Sequence, residues 1–306
     1  LTVLQLFHDT TLVVSSRVLL SDDGPFMEAE HSLLPMELLG RGPVTEVWKA
    51  INLSTGRHVA LKKPRDNTDD AALAQRLISH EALVCQTVAH RSLPRILNFE
   101  SSGPEPFLCL KLLRGENLDH RKISARPWTL LELIDMVSHV AEALESLHKA
   151  GWVHGDVQPA NIFQEFNGNN RLIDLGGAHL AGRHPYEGTA MEIELVGSAD
   201  YWAPEICRCN GVGAPPADIF ALGIVAFETL AERRPWPGGS LRETIKRHHG
   251  DPAGPLSSRW CRIPAKVARL VNSMLARDPI SRPTAAAVAD ELGSVAIRLM
   301  ELGAVA

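Results

Sequence analysis

One change of pattern limits the folds open to this chain: extended segments dominate its front and helices dominate its back. From Leu38 to Lys63 the order is strand, turn, strand. Val44 to Ile51 is apolar and β-branched, Ser54-Thr55-Gly56 reads as a turn, and Val59 to Lys62 resumes extended. Ala71 to Val88 contains no Gly or Pro and reads as a helix behind the polar stretch Asp66 to Asp70. Phe107 to Leu113 is a short apolar strand, ended by Arg114-Gly115. Beyond it, helices are predicted over Leu130–Lys149, Asp218–Ala231, Ala265–Leu275 and Thr284–Leu292. Pro and Gly cluster at 211–216, 235–239 and 250–255, which read as loops. Such a chain predicts an α+β fold of two lobes with a crevice between them. The predicted divisions are 1–32, an N-terminal extension; 33–113, a small β-rich lobe with its hinge; and 114–306, a larger helical lobe. Within the extension, Thr11 to Leu20 is β-like and residues 21–25 form a turn, so a hairpin is expected there. It reads first as packing on the front lobe and second as a candidate partner surface.

Composition removes several functions. A formal net charge of −5 gives no reason to expect nucleic acid or an anionic membrane as partner. The longest clean apolar run, Ile219 to Phe227, is too short to span a bilayer, so no membrane insertion is expected. Leu1 to Leu6 lacks the basic stretch and cleavage site of a signal peptide, and a first residue other than Met suits a piece of a longer protein. Five cysteines, an odd number without framework spacing, fit a reducing compartment and a cytoplasmic location. Cys207 and Cys209 read as plain thiols, because no second pair follows to complete a tetrahedral metal site.

Two short motifs carry the chemistry. The first runs His154-Gly155-Asp156-Val157-Gln158-Pro159-Ala160-Asn161, and the second, Asp174-Leu175-Gly176, begins eighteen positions after Asp156. Moving a phosphoryl group from ATP needs a carboxylate to orient a hydroxyl and oxygen ligands to hold a divalent cation against the phosphates. An Asp, an Asn five residues on and a second Asp ahead of a Gly supply those parts. Any one Asp alone reads equally well as an ordinary loop residue.

Taken with what flanks them, these motifs resemble the eukaryotic-like Ser/Thr protein kinase family of bacterial type, in a His-Gly-Asp variant. Upstream lie Gly40-Arg41-Gly42-Pro43-Val44-Thr45-Glu46-Val47, similar to the family's Gly-rich loop, and Val59-Ala60-Leu61-Lys62, similar to its strand-borne lysine motif. Downstream, Val196 to Glu205 resembles the end of an activation segment closed by Ala203-Pro204-Glu205, and Asp218 to Gly223 resembles the helix whose Asp braces the catalytic loop. The resemblance covers about Leu33 to Leu292 and is specific as a set, since small-molecule kinases that share His-Gly-Asp lack the later motifs.

The resemblance implies a bilobal kinase-like fold, ATP as cofactor with Mg²⁺ or Mn²⁺, and a protein substrate. It implies that Asp156 accepts the substrate proton, that Asn161 and Asp174 bind metal, and that Lys62, held by an ion pair to Glu81, contacts the α- and β-phosphates. Gly40 and Gly42 would approach the phosphates. Leu39, Val47, Ala60 and Phe163 would sandwich adenine, which would pair with the backbone of Lys111 and Leu113, with Leu110 guarding the back of the pocket. Arg282 would ion-pair with Glu205 as a structural lock.

Several positions depart from the family pattern. Thr45 stands at the third glycine position and Pro43 removes a backbone donor from the loop. Gly155 stands where an Arg often receives an activation-loop phosphate, so switching by phosphorylation at Tyr186, Thr189 or Ser198 is not expected. Gln158 replaces a Lys and offers an uncharged amide to the γ-phosphate. The expected activity is ATP-dependent transfer to Ser/Thr hydroxyls of proteins. The alternative is a pseudokinase, a nucleotide-binding or scaffolding module, motivated by Pro43, Thr45 and Gln158.

Overall fold

A computed structural model describes residues 33–66, 68, 70–101, 103, 105–123, 128–183, 199–208, 213–236, 241–250, 253–258, 261–301 and 303. The hairpin expected within 11–25, the hydroxyls of Tyr186, Thr189 and Ser198, and the thiols of Cys207 and Cys209 lie outside what is described.

The chain separates into two compact units: residues 1–82 with 96–112, and residues 83–95 with 113–306. In chain order the elements are β1 (Leu33–Arg41), β2 (Thr45–Asn52), β3 (His58–Pro64), α1 (Ala71–Thr87), β4 (Ile96–Glu100), β5 (Phe107–Lys111), β6 (Gly115–Asn117), α2 (Leu118–Ile123), α3 (Leu130–Lys149) and β7 (Trp152–Val153). There follow β8 (Ile162–Glu165), β9 (Asn170–Leu172), β10 (His179–Leu180), α4 (Pro204–Arg208), α5 (Pro215–Ala231), α6 (Leu241–Gly250), α7 (Ala265–Met274) and α8 (Ala285–Glu301). The α+β expectation is met, with the strands of the larger sheet early in the chain and most helices after them.

The first unit is built on an antiparallel sheet in the order β1-β2-β3-β5-β4. Its two faces follow the period of two that a pleated strand imposes. Val59 and Leu61 of β3 share one face with Ala50, Phe107 and Cys109. Burial there pushes the Cys109 thiol up to about 12, so it stays a neutral apolar filler. On the other face Leu108 packs with Ile78 and Ala82 of α1, and with Ile96, Phe99 and Leu110. Among the described residues β1 and β4 are the outer strands, and Leu34, Met36, Leu38 and Leu39 along β1 are exposed.

The second unit centres on α5, which is buried along nearly all its length and therefore apolar all round. The helix starts three residues before the predicted boundary. Pro215 and Pro216 open its first turn, where a missing N–H costs nothing because it would have no intrahelical partner. Helix α3 begins on a capping box: Thr129 Oγ1 accepts from the Glu132 N–H (3.2 Å) and Glu132 Oε2 accepts from the Thr129 N–H (3.0 Å). Helix α8 continues to Glu301 beyond the expected Leu292, because Val295 and Ala296 still find apolar cover. Small sheets β6-β8-β9 and β7-β10, and helix α6 over Leu241–Gly250, are additions to the predicted elements.

Candidate functional site

Two groups of residues named from the sequence assemble, one in each unit. In the first unit Lys62 sits on central β3 and Glu81 on α1, with Nζ and Oε2 2.5 Å apart. Both are buried, Lys62 at 8% and Glu81 at 1% exposure, so they are not surface charges. A buried pair of this kind holds its geometry because separating the partners would strand a charge in a low dielectric. Val47 lies directly opposite Lys62 across the β2–β3 ladder, and Ala60, two residues along β3, is opposite Leu110. The side chains of Val47, Ala60, Lys62 and Leu110 therefore share one face of the sheet. Leu39 falls at the irregularity between Leu38 and Gly40, and Lys111 is the exposed end of β5.

The loop between β1 and β2 is tight. The Gly42 N–H donates to the Thr45 carbonyl at 2.8 Å, and Arg65 Nη1 donates to the Pro43 carbonyl at 2.8 Å. Beneath it Glu46 is buried and accepts from Trp48 Nε1 (2.8 Å) and Arg41 Nη2 (3.2 Å), with Lys63 Nζ at 3.5 Å. Burial pushes its carboxyl up, yet the Trp48 N–H and the Lys63 and Arg41 cations outweigh that and leave it below the ordinary carboxylate value. Nothing in the sequence motif marked Glu46 as the anchor of this loop.

In the second unit the His154–Asn161 segment leaves β7 and enters β8 through a 3-10 turn, Pro159–Asn161. Three expected residues meet directly. Gln158 Nε2 donates to Asp156 Oδ1 at 2.7 Å, and Asn161 Nδ2 donates to Asp156 Oδ2 at 2.7 Å and to its carbonyl at 2.9 Å. Burial raises the Asp156 carboxyl above its ordinary value; the two amide donors pull it down, Asp174 pushes it up, and the balance stays upward.

Asp174 is tied to this group through the backbone, since the N–H of Ile173 donates to the Asn161 carbonyl at 2.8 Å. Asp174 itself is exposed and left-handed (φ 63°, ψ 82°), and its Oδ1 accepts from the Gly176 N–H at 3.3 Å. With Nδ2 of Asn161 directed at Asp156, the planar amide turns Oδ1 the other way. Asn161 and Asp174 thus offer the hard oxygen donors that Mg²⁺ or Mn²⁺ prefers.

Asp218 and His148 from flanking helices, and His154 within the loop, fix its backbone. Asp218 of α5 accepts the N–H of Gly155 (2.9 Å) on Oδ1, and the N–H of His154 (2.9 Å) and Nε2–H of His148 (2.8 Å) on Oδ2. Burial opposes the Asp218 charge, but these donors prevail and hold its carboxyl below the ordinary value. The fully buried His154 accepts the Asp156 N–H at Nδ1 (3.2 Å) and so carries its proton on Nε2, which donates to the Ile173 carbonyl (3.3 Å). The imidazole thereby spans the two motifs. Asp218 was expected as a brace; the parts of His148 and His154 were not.

The expected lock is present: Arg282 Nη1 and Nη2 meet Glu205 Oε1 and Oε2 at 2.5 and 2.8 Å. Arg282 also donates to the carbonyls of Pro216 (2.9 Å) and Ala276 (2.7 Å), joining the Ala203-Pro204-Glu205 end to three other segments. Leu113 and Phe163, expected against adenine, are both partly buried in this unit.

Residues 34–292 match the family described as protein kinase domain. Among curated proteins, the chain is 29% identical over 252 residues to serine/threonine-protein kinase PknA of Mycobacterium tuberculosis, covering 80% of this chain and 56% of that protein. It is 30% identical over 271 residues to serine/threonine-protein kinase Pkn1 of Myxococcus xanthus, covering 84% and 38%. It is 26% identical over 284 residues to probable serine/threonine-protein kinase pknA2 of Bifidobacterium longum, covering 92% and 37%. The chain thus spans about half or less of the length of these relatives.

Proposed function

We infer, from the premise that this chain belongs to the protein kinase domain family, that it transfers the γ-phosphoryl group of ATP to Ser or Thr hydroxyls of protein substrates. The observation that carries this reading is the Asp156–Gln158–Asn161 cluster, joined through the Ile173–Asn161 backbone bond to Asp174. A scaffold has no use for two oxygen donors and a carboxylate held in this order. The similarity to serine/threonine kinases supports the choice of hydroxyl.

In this reading a substrate hydroxyl oxygen forms a bond to the γ-phosphorus as the bond to the bridging β,γ-oxygen breaks, and ADP leaves. Asp156 orients the hydroxyl and takes its proton. Its raised basicity suits that task better than an ordinary carboxylate would. Lys62 steadies the α- and β-phosphates and Glu81 fixes its ammonium. Gly40 and Gly42 cover the phosphates, and Leu39, Val47, Ala60 and Phe163, with the backbone of Lys111 and Leu113, hold the base. Asn161 and Asp174 would hold Mg²⁺ or Mn²⁺, which neutralises phosphate charge when bound. With Gly155 ahead of Asp156, no guanidinium is supplied there for a phosphorylated loop, so activity does not depend on activation-loop phosphorylation. Cysteine usage supports a cytoplasmic location.

The test is incubation with labelled ATP, Mg²⁺ or Mn²⁺ and a generic basic protein, beside Asp156→Asn. Transfer is expected from the wild type and a loss of about 10²-fold or more from the variant. The pseudokinase reading, favoured by Pro43 and Thr45 in the loop and by Gln158, predicts equal and negligible labelling with either metal.

A further inference from the structure

His179 is a buried imidazole that the mechanism above leaves without a task. It opens β10, directly opposite Val153 of β7, so it follows the Asp174 motif on one strand and faces the approach to Asp156 on the other. Its ring lies in a slot with two glycine walls. A Cβ on Gly155 would come 2.9 Å from its Cε1 and 3.1 Å from its Nδ1. A Cβ on Gly213 would come 2.7 Å from its Nε2 and 3.2 Å from its Cε1. The shortest approach at each glycine, 2.9 Å and 2.7 Å, is closer than a real Cβ comes to another heavy atom, so the ring occupies space that the two glycines leave open. Its Nδ1–H donates to the Gly177 carbonyl at 3.2 Å, which sets the plane of the ring.

Each wall is itself anchored. The Gly155 N–H is held by Asp218 Oδ1 at 2.9 Å, and the Gly213 carbonyl accepts the Gly182 N–H at 3.1 Å. The imidazole therefore touches the residue before Asp156, the stretch after Asp174 and the lead-in to α5 at once. Gly155 is also left-handed (φ 77°), so any side chain there is strained before it meets the ring.

We propose that His179 is a positioning residue: a permanent internal wedge that sets the spacing between the segment bearing Asp156 and the segment bearing Asp174. The proposal rests on the kinase reading and deepens its regulation. An arginine at 155, which could be drawn into place by a phosphate, is excluded by the same ring and by the left-handed backbone there.

The test is a double-mutant cycle of His179→Ala and Gly213→Ala in the full chain. Gly213 has ordinary backbone and its Cβ would otherwise meet only Ile206 Cδ1, at an ordinary 3.4 Å, among its three nearest atoms, so its alanine probes chiefly the space taken by the ring. Turnover, the KM for ATP and thermal denaturation are measured on all four proteins. His179→Ala is expected to lower kcat roughly 10- to 100-fold, as sub-ångström misplacement does, while the KM for ATP changes by less than about three-fold. Gly213→Ala is expected to lower kcat about ten-fold with His179 present and less than about two-fold in the H179A background. His179→Asn, which keeps a donor toward Gly177, recovers part of the kcat lost by His179→Ala. A kcat for His179→Ala within two-fold of the wild type, or independent effects of the two substitutions, overturns the proposal. Coupling in the melting temperatures needs no turnover. If the wild type transfers no phosphate, the kinase reading falls and the wedge is judged on that coupling alone: its presence upholds the packed slot, its absence removes it.

Discussion

Both oxygens of the Asp156 carboxylate have donors, and both donors are uncharged amides. A lysine at 158 would hold the carboxylate by charge and depress its basicity; Gln158 orients it at a smaller cost in proton affinity. This gives a prediction with a definite sign. The Gln158 hydrogen bond lowers a carboxyl that burial has raised, so Gln158→Leu raises it further. The acidic limb of the kcat/KM profile for Gln158→Leu is therefore expected at higher pH than in the wild type; an unmoved or acid-shifted limb would show that Gln158 acts elsewhere. At this scale the meeting of Asp156 with Gln158 and Asn161 was legible in the sequence, because the three lie within six residues of one motif. His148 was not, because the carboxylate it serves is 70 positions away, and His154 reads as part of a motif without revealing which nitrogen is protonated. Glu46 and His179 were invisible for a related reason: their meaning lies in neighbours gathered from several strands and loops.

Between elements, the bond that matters most is the one tying β3 to α1. Lys62 and Glu81 are both buried, so removing one leaves the other charge buried without its ion-pair counterpart, a loss of about 3–5 kcal/mol in pairs of this kind. Glu81→Leu is expected to destabilise the protein by that order in urea denaturation, and adding Lys62→Met is expected to return most of the loss while phosphoryl transfer stays abolished. A double variant no more stable than Glu81→Leu would mean that the pair is held by something other than mutual charge. Element type was readable wherever a long run kept one period, as in α1 and α3. It was not readable for β7 and β10, two residues each, which exist only because each supplies the other's hydrogen bonds across the fold. Helix α6 was missed among Gly- and Pro-rich flanks, and the proline pair at 215–216 disguised a helix start as a loop.

For the whole molecule, the α+β division followed from the change of pattern along the chain and the family from the order of motifs, while part of the acid stability follows from the interior charge of Asp218. Asp218 gathers donors from α3 and from the loop after β7, and its carboxyl titrates below the ordinary value of 3.8. A depressed carboxyl contributes stability that is complete above its unfolded value and is lost as pH falls through its folded one. The gap in unfolding free energy between wild type and Asp218→Asn is thus expected to be constant near neutrality and to close only under strong acid, as read by urea titrations at several pH values. A gap independent of pH would remove the charge from the account. The outer margin of β1 has a different consequence. Among the described residues that strand pairs only with β2, and Leu34 and Met36 stand in water beside it. Peptide groups left in a row next to greasy side chains are adhesive toward any other extended chain. How concentrated solutions of this protein behave will accordingly depend more on what shields that rim than on the repulsion among its few excess acidic groups.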